Sequence, residues 1–490
     1  MLTLEEIKKT IAELIENLGE KALETVAMPS SGSSRRYFRV KTDKRYLIGA
    51  YNVNIEENDA FFSFSKHFYE YGLPVPEILA ISHSKEIYIQ TDLGDVTLFH
   101  HVEDCLENGK FDKNTIDLYK KSLDKLIDFQ VVGHQGLDYS KAFPTPAFDE
   151  MSIMEDLNYF KYCFLKEQEE ISFNETRLDA DFQRLAKYIL DAPSDFFMYR
   201  DFQSRNIMIV DDEPYFIDYQ GGRKGPLQYD VVSLLYQVKA RIPEELRKDL
   251  IDYYKTQLSK SCRDARPCVS TTDFDKYFPA FVLLRLLQVL GAYGFRGLIQ
   301  KKLHFMQSIP YAIKELLKMN EKWELPFELP ELQSVIKQLN VVLTKYECIE
   351  PERLTIAVNS FSYKNGGVPY DKSCNGGGFV FDCRALPNPG RYAEFKKSTG
   401  EDRDVIEFLE DKLDVHFFLQ NVQMLVFQSI DNYLERGFKN LQVNFGCTGG
   451  QHRSVFFAQK IGEIIHENYP MVNVEINHLA QHITHVYEAK

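Results

Sequence analysis

A short hairpin set inside a long helical stretch constrains this chain more than any other feature. From about residue 96 to 320 the apolar positions recur with a helical period, yet two short apolar runs, Asn206 to Val210 and Tyr215 to Asp218, flank the acidic turn Asp211-Asp212-Glu213 and read as strands. The lobe that holds them is therefore helical with a hairpin embedded in it. Ahead of it, segments rich in β-branched and aromatic residues predict strands at about 35 to 41, 45 to 52 and 86 to 91, with a helix at about 57 to 71 ended by Gly72-Leu73-Pro74. After it, Pro326 and Pro330 close the helical region, one more helix is expected over about 331 to 346, and Pro351 precedes a fresh strand. The expected fold class is α+β: a mostly β lobe over 1–95, a helical lobe over 96–346, and a separate α/β domain over 354–490.

That last domain reads as strand (354 to 359), glycine-rich loop (364 to 378), strand (379 to 384), helices (402 to 410 and 416 to 436), strand (441 to 445) and helix (453 to 467), a pattern that predicts parallel strands. Composition excludes several classes. With 44% apolar, 13% aromatic and 27% charged residues, the chain of 490 is neither disordered nor collagenous. Its net charge is −14, and residues 351 to 490 hold 14 basic and 17 acidic side chains, so neither half offers a diffuse positive field to nucleic acid or anionic lipid. The N-terminal MLTLEEIKKTIAELIENLGE is an acidic amphipathic helix and lacks the pattern of an export signal, so a cytoplasmic protein is expected. The apolar stretch from Phe281 to Phe295, interrupted by Arg285 and Gln288, is too short for a bilayer and reads as a buried helix; no membrane partner is expected. Eight cysteines without a CxxC pair predict reduced thiols.

The first chemical constellation is FFMYRDFQSRNIMIVDDEPYFID, Phe196 to Asp218. Asp201 follows an apolar strand, Asn206 opens the hairpin and Asp218 ends it, so three oxygen-bearing side chains are expected to converge. Phosphoryl transfer needs a carboxylate to orient the attacking hydroxyl and hard oxygen ligands for Mg²⁺ on the nucleotide phosphates. Tyr199-Arg200-Asp201-Phe202-Gln203-Ser204-Arg205-Asn206 and Ile217-Asp218-Tyr219 resemble the catalytic loop and metal-binding motif of the kinase-like phosphotransferases of the aminoglycoside and choline kinase superfamily. Ser33-Ser34-Arg35-Arg36-Tyr37-Phe38-Arg39-Val40, Gly72 to Glu77, Thr91-Asp92-Leu93-Gly94-Asp95 and Gly225 to Asp230 are similar to the anomeric kinases of cell-wall recycling, which phosphorylate N-acetylmuramate and N-acetylglucosamine at the sugar 1-hydroxyl.

The resemblance implies a bilobal protein-kinase-like fold, ATP and Mg²⁺ as cofactors and an amino sugar as acceptor. It makes Asp201 the catalytic base and Asn206 and Asp218 the metal ligands. Ser31, Gly32, Ser33, Ser34 and Arg36 would cover the phosphates, with Gln90 and Asp92 near the adenine at the connection between lobes. One departure stands out: Tyr46-Leu47-Ile48-Gly49-Ala50-Tyr51 has no lysine where most kinases keep the one that pairs with the α and β phosphates, leaving Arg36, Arg39 or Lys41 to supply the charge. Asp149, Glu150, Glu155 and Asp156 beside Tyr159 and Phe160 fit either a sugar-binding face or an exposed acidic helix.

The second constellation, LQVNFGCTGGQHRSV over 441 to 455, runs strand, tight glycine loop and helix start, which aims backbone N–H groups and a helix dipole at one point and suits a phosphate. The same stretch satisfies C-x₅-R-S from Cys447 to Ser454, the nucleophile loop of tyrosine phosphatases. Together with Ser360 to Gly366, Phe381 to Pro389 and Thr399-Gly400, it resembles the C-terminal domain of the RNase adaptor RapZ, which binds glucosamine 6-phosphate and a small RNA. On matching positions Asp382 would hold the amino sugar, and Thr448, Gly449, Gly450, His452, Arg453 and Ser454 would surround its phosphate. Gln451 stands where the family has lysine and the tail from His482 to Lys490 is not basic, so a phosphorylated amino sugar is the expected ligand and RNA is not. His478, His482 and His485 are spaced to share one helix face and to meet a metal.

These readings leave four functions open: an amino-sugar kinase with a sugar-phosphate-sensing domain, a catalytically silent kinase-like sensor or scaffold, a kinase for an aminoglycoside or choline-like acceptor, and a phosphatase at Cys447.

Overall fold

The computed structural model describes residues 2–29, 35–264, 271–300, 302–346, 353–371 and 378–489. The chain divides into two compact units, Met1–Leu343 and Thr344–Lys490.

The first unit opens with α1 (Leu4–Asn17), started by a reciprocal cap in which Thr3 Oγ1 accepts from the Glu6 amide and the Glu6 carboxylate accepts from the Thr3 amide. Strands β1 (Ala22–Ala27), β2 (Arg36–Thr42) and β3 (Tyr46–Tyr51), helix α2 (Ile55–Glu70), and strands β4 (Ile78–Ile81) and β5 (Ile87–Thr91) follow. The strands form one antiparallel sheet in the order β1-β2-β3-β5-β4. Alternation along the strands gives the sheet two apolar faces. Ile7, Ile11 and Ile15 of α1 bury against Phe38, Val40, Leu47 and Ile89 on one face, while Ala50 and Tyr88 face Phe61 and Phe64 of α2 on the other. Gly49 is required where α1 crosses β3, because a Cβ there would lie 2.7 Å from Ile11 Cδ1. The edge strands β1 and β4 add to the three strands expected from sequence; neither has a fully buried residue, so neither shows strong apolar alternation.

The helical lobe comprises α3 (Leu98–Glu107), α4 (Lys113–Ile127), α5 (Glu150–Cys163) and α6 (Glu175–Leu190), then α7 (Gln228–Leu235), α8 (Glu244–Asp264), α9 (Thr271–Tyr293), α10 (Leu303–Met306), α11 (Ile309–Glu321) and α12 (Pro330–Tyr346). Between α6 and α7 lie four short strands, β6 (Phe196–Met198), β7 (Ile207–Val210), β8 (Glu213–Phe216) and β9 (Arg223–Gly225), paired as β6 with β9 and β7 with β8. The β7–β8 hairpin closes through Asp211 and Asp212, both left-handed (φ 50° and 60°), the backbone that a two-residue hairpin turn needs and that Asp tolerates. The apolar helix α9 is a core helix: Phe281, Leu283, Leu284 and Leu287 are fully buried, and Gly291 and Gly294 lie so close to the α5 backbone that a Cβ at Gly291 would fall 2.6 Å from the Phe160 amide.

The second unit carries β10 (Thr355–Ser362), β11 (Gly378–Asp382), β12 (Asn440–Cys447), β13 (Asn473–His478) and β14 (Ile483–Tyr487), with α13 (Arg403–Glu410), α14 (Leu413–Glu435) and α15 (Arg453–Asn468). The strand order is β11-β12-β10-β13-β14; the first four are parallel and β14 is antiparallel to β13. The central strand β10 is buried almost throughout, as expected for a sheet covered on both faces. The histidines placed on one helix face by their spacing lie instead on a hairpin: His478 ends β13, His485 sits on β14, and His482 occupies the turn at φ 58°. Val474, Ile476 and His478 are buried alternately, a period of two that overrides the helical spacing of the histidines.

Candidate functional sites

The loop after β6 is clamped from two directions. Asp230, fully buried in the first turn of α7, accepts hydrogen bonds from the Tyr199 amide (2.8 Å) and the Arg200 amide (2.9 Å). Burial pushes its carboxyl up to about 7, against the pull of those two amides. Arg200 has a left-handed backbone (φ 78°), and its guanidinium is held by Asp156 (2.7 and 2.9 Å) and the Tyr229 hydroxyl (2.8 Å). Backbone strain here is supported by over-determined contacts, and the result is to present Asp201 to a cleft. Asp156 is thereby assigned to loop support, and Asp149 caps α5 by accepting from the Ser152 amide at 2.9 Å.

Asn206 and Asp218 meet at the base of the hairpin. The Asn206 amide nitrogen donates to the Asp201 carbonyl (2.9 Å) and to Asp218 Oδ2 (3.3 Å), which ties all three residues together. Asp218 has a left-handed backbone (φ 71°), and Gln220 donates to its Oδ1 at 2.7 Å. Desolvation, then the nearby charge of Asp201, pushes the Asp218 carboxyl above its ordinary range. Two carboxylates and an amide oxygen gathered this way form a hard oxygen set that suits a divalent cation on a polyphosphate.

On the nucleotide side, Ser31, Gly32, Ser33 and Ser34 fall outside the described residues. Arg36 is exposed on β2, and Arg39 is committed to Asp92 (2.7 Å) and Asp95 (2.6 Å). Gln90 is buried on β5, opposite Ile48 of β3. The cation that sequence reasoning missed is Arg35, just before β2. Its buried guanidinium pairs with Glu57 of α2 at 3.0 Å and lies near enough to Asp218 to offset a small part of the rise in that carboxyl's pKa. An arginine thus makes the ion pair with α2 that the lysine-free strand β3 cannot.

A cleft of about 730 Å³ opens at Asp201. Its described lining holds six cations, Arg200, Arg205, Lys239, Arg285, Arg296 and Lys302, and a single carboxylate, Asp201 itself. Arg205 and Arg285 approach Asp201 at 3.5 and 3.8 Å. Desolvation, then the neighbouring Arg205, holds the Lys239 ammonium below its ordinary range. With Arg200 neutralised by Asp156, five cations and the Asp201 carboxylate leave the lining with a net positive charge.

In the second unit, β12 runs into the glycine loop and α15. Thr448, Gly449, His452 and Arg453 line a small cavity of about 240 Å³ with Cys447 and Lys396, whereas Asp382, Gly450 and Ser454 are outside that lining. Gly450 takes φ 69°, and a Cβ there would press Ala480 at 2.9 Å. The side chains are largely committed to the protein itself. Arg453 donates to the carbonyls of Cys383, Arg384 and Leu386 (3.2, 2.8 and 3.0 Å), His452 Nε2 contacts the Phe395 carbonyl (2.8 Å), and the buried Ser454 hydroxyl meets Cys447 Sγ (3.1 Å). Asp382 is salt-bridged to Arg384 at 2.6 Å. All three of these Arg453 bonds come from Nη1, and the side chain still lines the cavity beside Cys447. Gln451, in place of the family lysine, bonds the Lys396 and Ser398 carbonyls, and Lys396 brings a cation to the same cavity.

Residues 25–266 match the phosphotransferase enzyme family, and residues 354–482 match the RapZ C-terminal domain. A nucleotide-binding protein of Nitrosomonas europaea is 38% identical over 118 residues, 24% of this chain and 39% of the relative. Another, of Fervidobacterium nodosum, is 33% identical over 191 residues, covering 36% of this chain and 65% of the relative. The chain thus spans less than two thirds of either relative's length. Among solved structures, choline kinase from Cryptosporidium parvum aligns with a TM-score of 0.44 at 12% identity over 68% of this chain and 100% of that one. A thermostable mutant of aminoglycoside phosphotransferase APH(4)-Ia, in a ternary complex with ADP and hygromycin B, aligns with a TM-score of 0.38 at 14% identity, over 67% and 98% of the two chains.

Proposed function

Since the chain joins a kinase-like phosphotransferase domain to a RapZ C-terminal domain, we propose that it transfers a phosphoryl group from ATP to an amino sugar, at the anomeric hydroxyl, in the recycling of cell-wall sugars. The observation that carries this reading is the convergence of Asp201, Asn206 and Asp218 on one hairpin base. Asn206 and Asp218 would hold Mg²⁺, and bound Mg·ATP supplies the phosphoryl group and neutralises its charge. Asp201 orients the acceptor hydroxyl and takes its proton at a carboxylate oxygen. An anomeric hydroxyl is more acidic than an ordinary alcohol, so positioning does most of the work. Arg35, held by Glu57, faces the phosphates in place of the strand lysine. That substitution favours an active kinase over a silent scaffold.

The acceptor class follows from charge. With Arg200 paired to Asp156, five cations against one carboxylate still disfavour aminoglycosides and choline, which are themselves cations, and favour a sugar that carries an anion. N-acetylmuramate, with its lactyl carboxylate, fits better than neutral N-acetylglucosamine. In the second domain, the glycine-loop amides and Lys396 would bind a phosphorylated amino sugar such as glucosamine 6-phosphate. The test is a panel of N-acetylmuramate, N-acetylglucosamine, an aminoglycoside and choline with ATP and Mg²⁺. N-acetylmuramate is expected to give the highest kcat/KM, and faster turnover of either cation would defeat the reading.

A further inference from the structure

We propose that Glu401, His478 and His485 form a binding site for a divalent transition-metal ion, zinc by ligand type, in the second unit. The three come from separate places in the fold: Glu401 from the turn before α13, His478 from the end of β13, and His485 from β14. One ligand atom from each lies within 4.8 Å of the others. Both imidazoles aim Nε2 at the same carboxylate oxygen, Glu401 Oε1, at 3.9 Å for His478 and 3.0 Å for His485. Donors bound at ~2.0–2.1 Å around a tetrahedral ion stand roughly 3.3 Å apart, so small side-chain rotations close this set on a metal. An ion pair would need one histidine. Here a second, fully buried imidazole is brought to the same oxygen.

The surroundings orient the ligands. His478 Nδ1 lies 3.1 Å from the hydroxyl of buried Ser360; a proton on Nδ1, given to that oxygen, leaves the Nε2 lone pair facing the site. Gln459 of α15 places Oε1 3.2 Å from His478 Nε2, and its amide nitrogen donates to Glu463 at 2.8 Å, which keeps the oxygen turned toward that ring nitrogen. His485 and Glu401 are partly exposed, with side chains 38% and 29% accessible, which leaves an entry path for the ion. His482, in the turn, is not part of the set. The preceding residue, Gly400, donates its amide to the Gln451 carbonyl (2.9 Å), and a Cβ there would fall 2.2 Å from the His452 carbonyl. A metal at Glu401 therefore fastens the terminal hairpin to the back of the glycine loop.

The experiment uses the purified full chain, stripped with a chelator and titrated with Zn²⁺, then with Co²⁺ as a spectroscopic probe. The expected result is one equivalent bound, tetrahedral Co²⁺ absorption without a thiolate charge-transfer band, and a rise in the second unit's thermal midpoint. His485→Ala and Glu401→Gln, checked for native circular dichroism, should each weaken Zn²⁺ binding by at least about 100-fold, whereas His482→Ala should not. No stoichiometric binding by the wild-type chain, a thiolate band, or affinity unchanged in both variants would overturn the site.

Discussion

The hairpin base of the first unit and the glycine loop of the second both gather polar residues at the end of a strand, but they spend them differently. Asp218 is desolvated beside the like charge of Asp201, and its pKa is raised by both, burial first. In the glycine loop Arg453 Nη1, His452 and Ser454 are already bonded within the protein, with Thr448, Gly449 and Lys396 beside them in the cavity lining. The first site holds a carboxylate at a cost to stability; the second is built as part of the fold. Substitutions should therefore separate chemistry from stability in the first site and join them in the second.

The largest effect expected is on turnover. Asp201→Asn should lower kcat by about 10²–10⁴-fold while ATP binding, measured by calorimetry, stays near wild type. Next is Arg453→Ala, which strands three carbonyls, one of them buried, and should destabilise the second unit by ~2 kcal/mol in urea unfolding, with kinase kcat unchanged. Equal loss of kinase activity in that variant would break the contrast. Arg35→Met should raise the KM for ATP by roughly 10–100-fold, with Arg35→Lys recovering part of it.

The smallest effect concerns pH. Because the folded state raises the pKa of Asp218, that group's contribution to stability is present at low pH and is lost as pH rises through its raised value. Asp218→Asn does not titrate. Without nucleotide or metal it should be more stable than wild type at about pH 8, with the gap closing toward about pH 4, as read by denaturant midpoints. A variant less stable than wild type at the higher pH would contradict a carboxylate held at a cost.

What the sequence made legible was local. Asp201, Asn206 and Asp218 could be read because a single hairpin carries them. Arg35 could not, because its partner Glu57 lies 22 residues on and no period links them. Asp230 escaped for the same reason: its role is to accept two amides from a loop 30 and 31 residues earlier. The histidine spacing misled because three and four residues apart also fits a strand, turn and strand, and only the buried alternation of Val474, Ile476 and His478 distinguishes them. The excess of cations in the cleft comes from the loop after β6, the segment after α7, α9 and the region between α9 and α10, so no stretch of sequence displays it.

The central claim is that the clamped Asp201 loop phosphorylates an anion-bearing amino sugar. The direct measurement is ³¹P NMR of the full chain with ATP, Mg²⁺ and N-acetylmuramate. The account predicts an anomeric sugar phosphate signal that grows with wild-type protein and is absent with Asp201→Asn. Equal product from the two proteins, or ATP consumed only with a cationic acceptor, would contradict it.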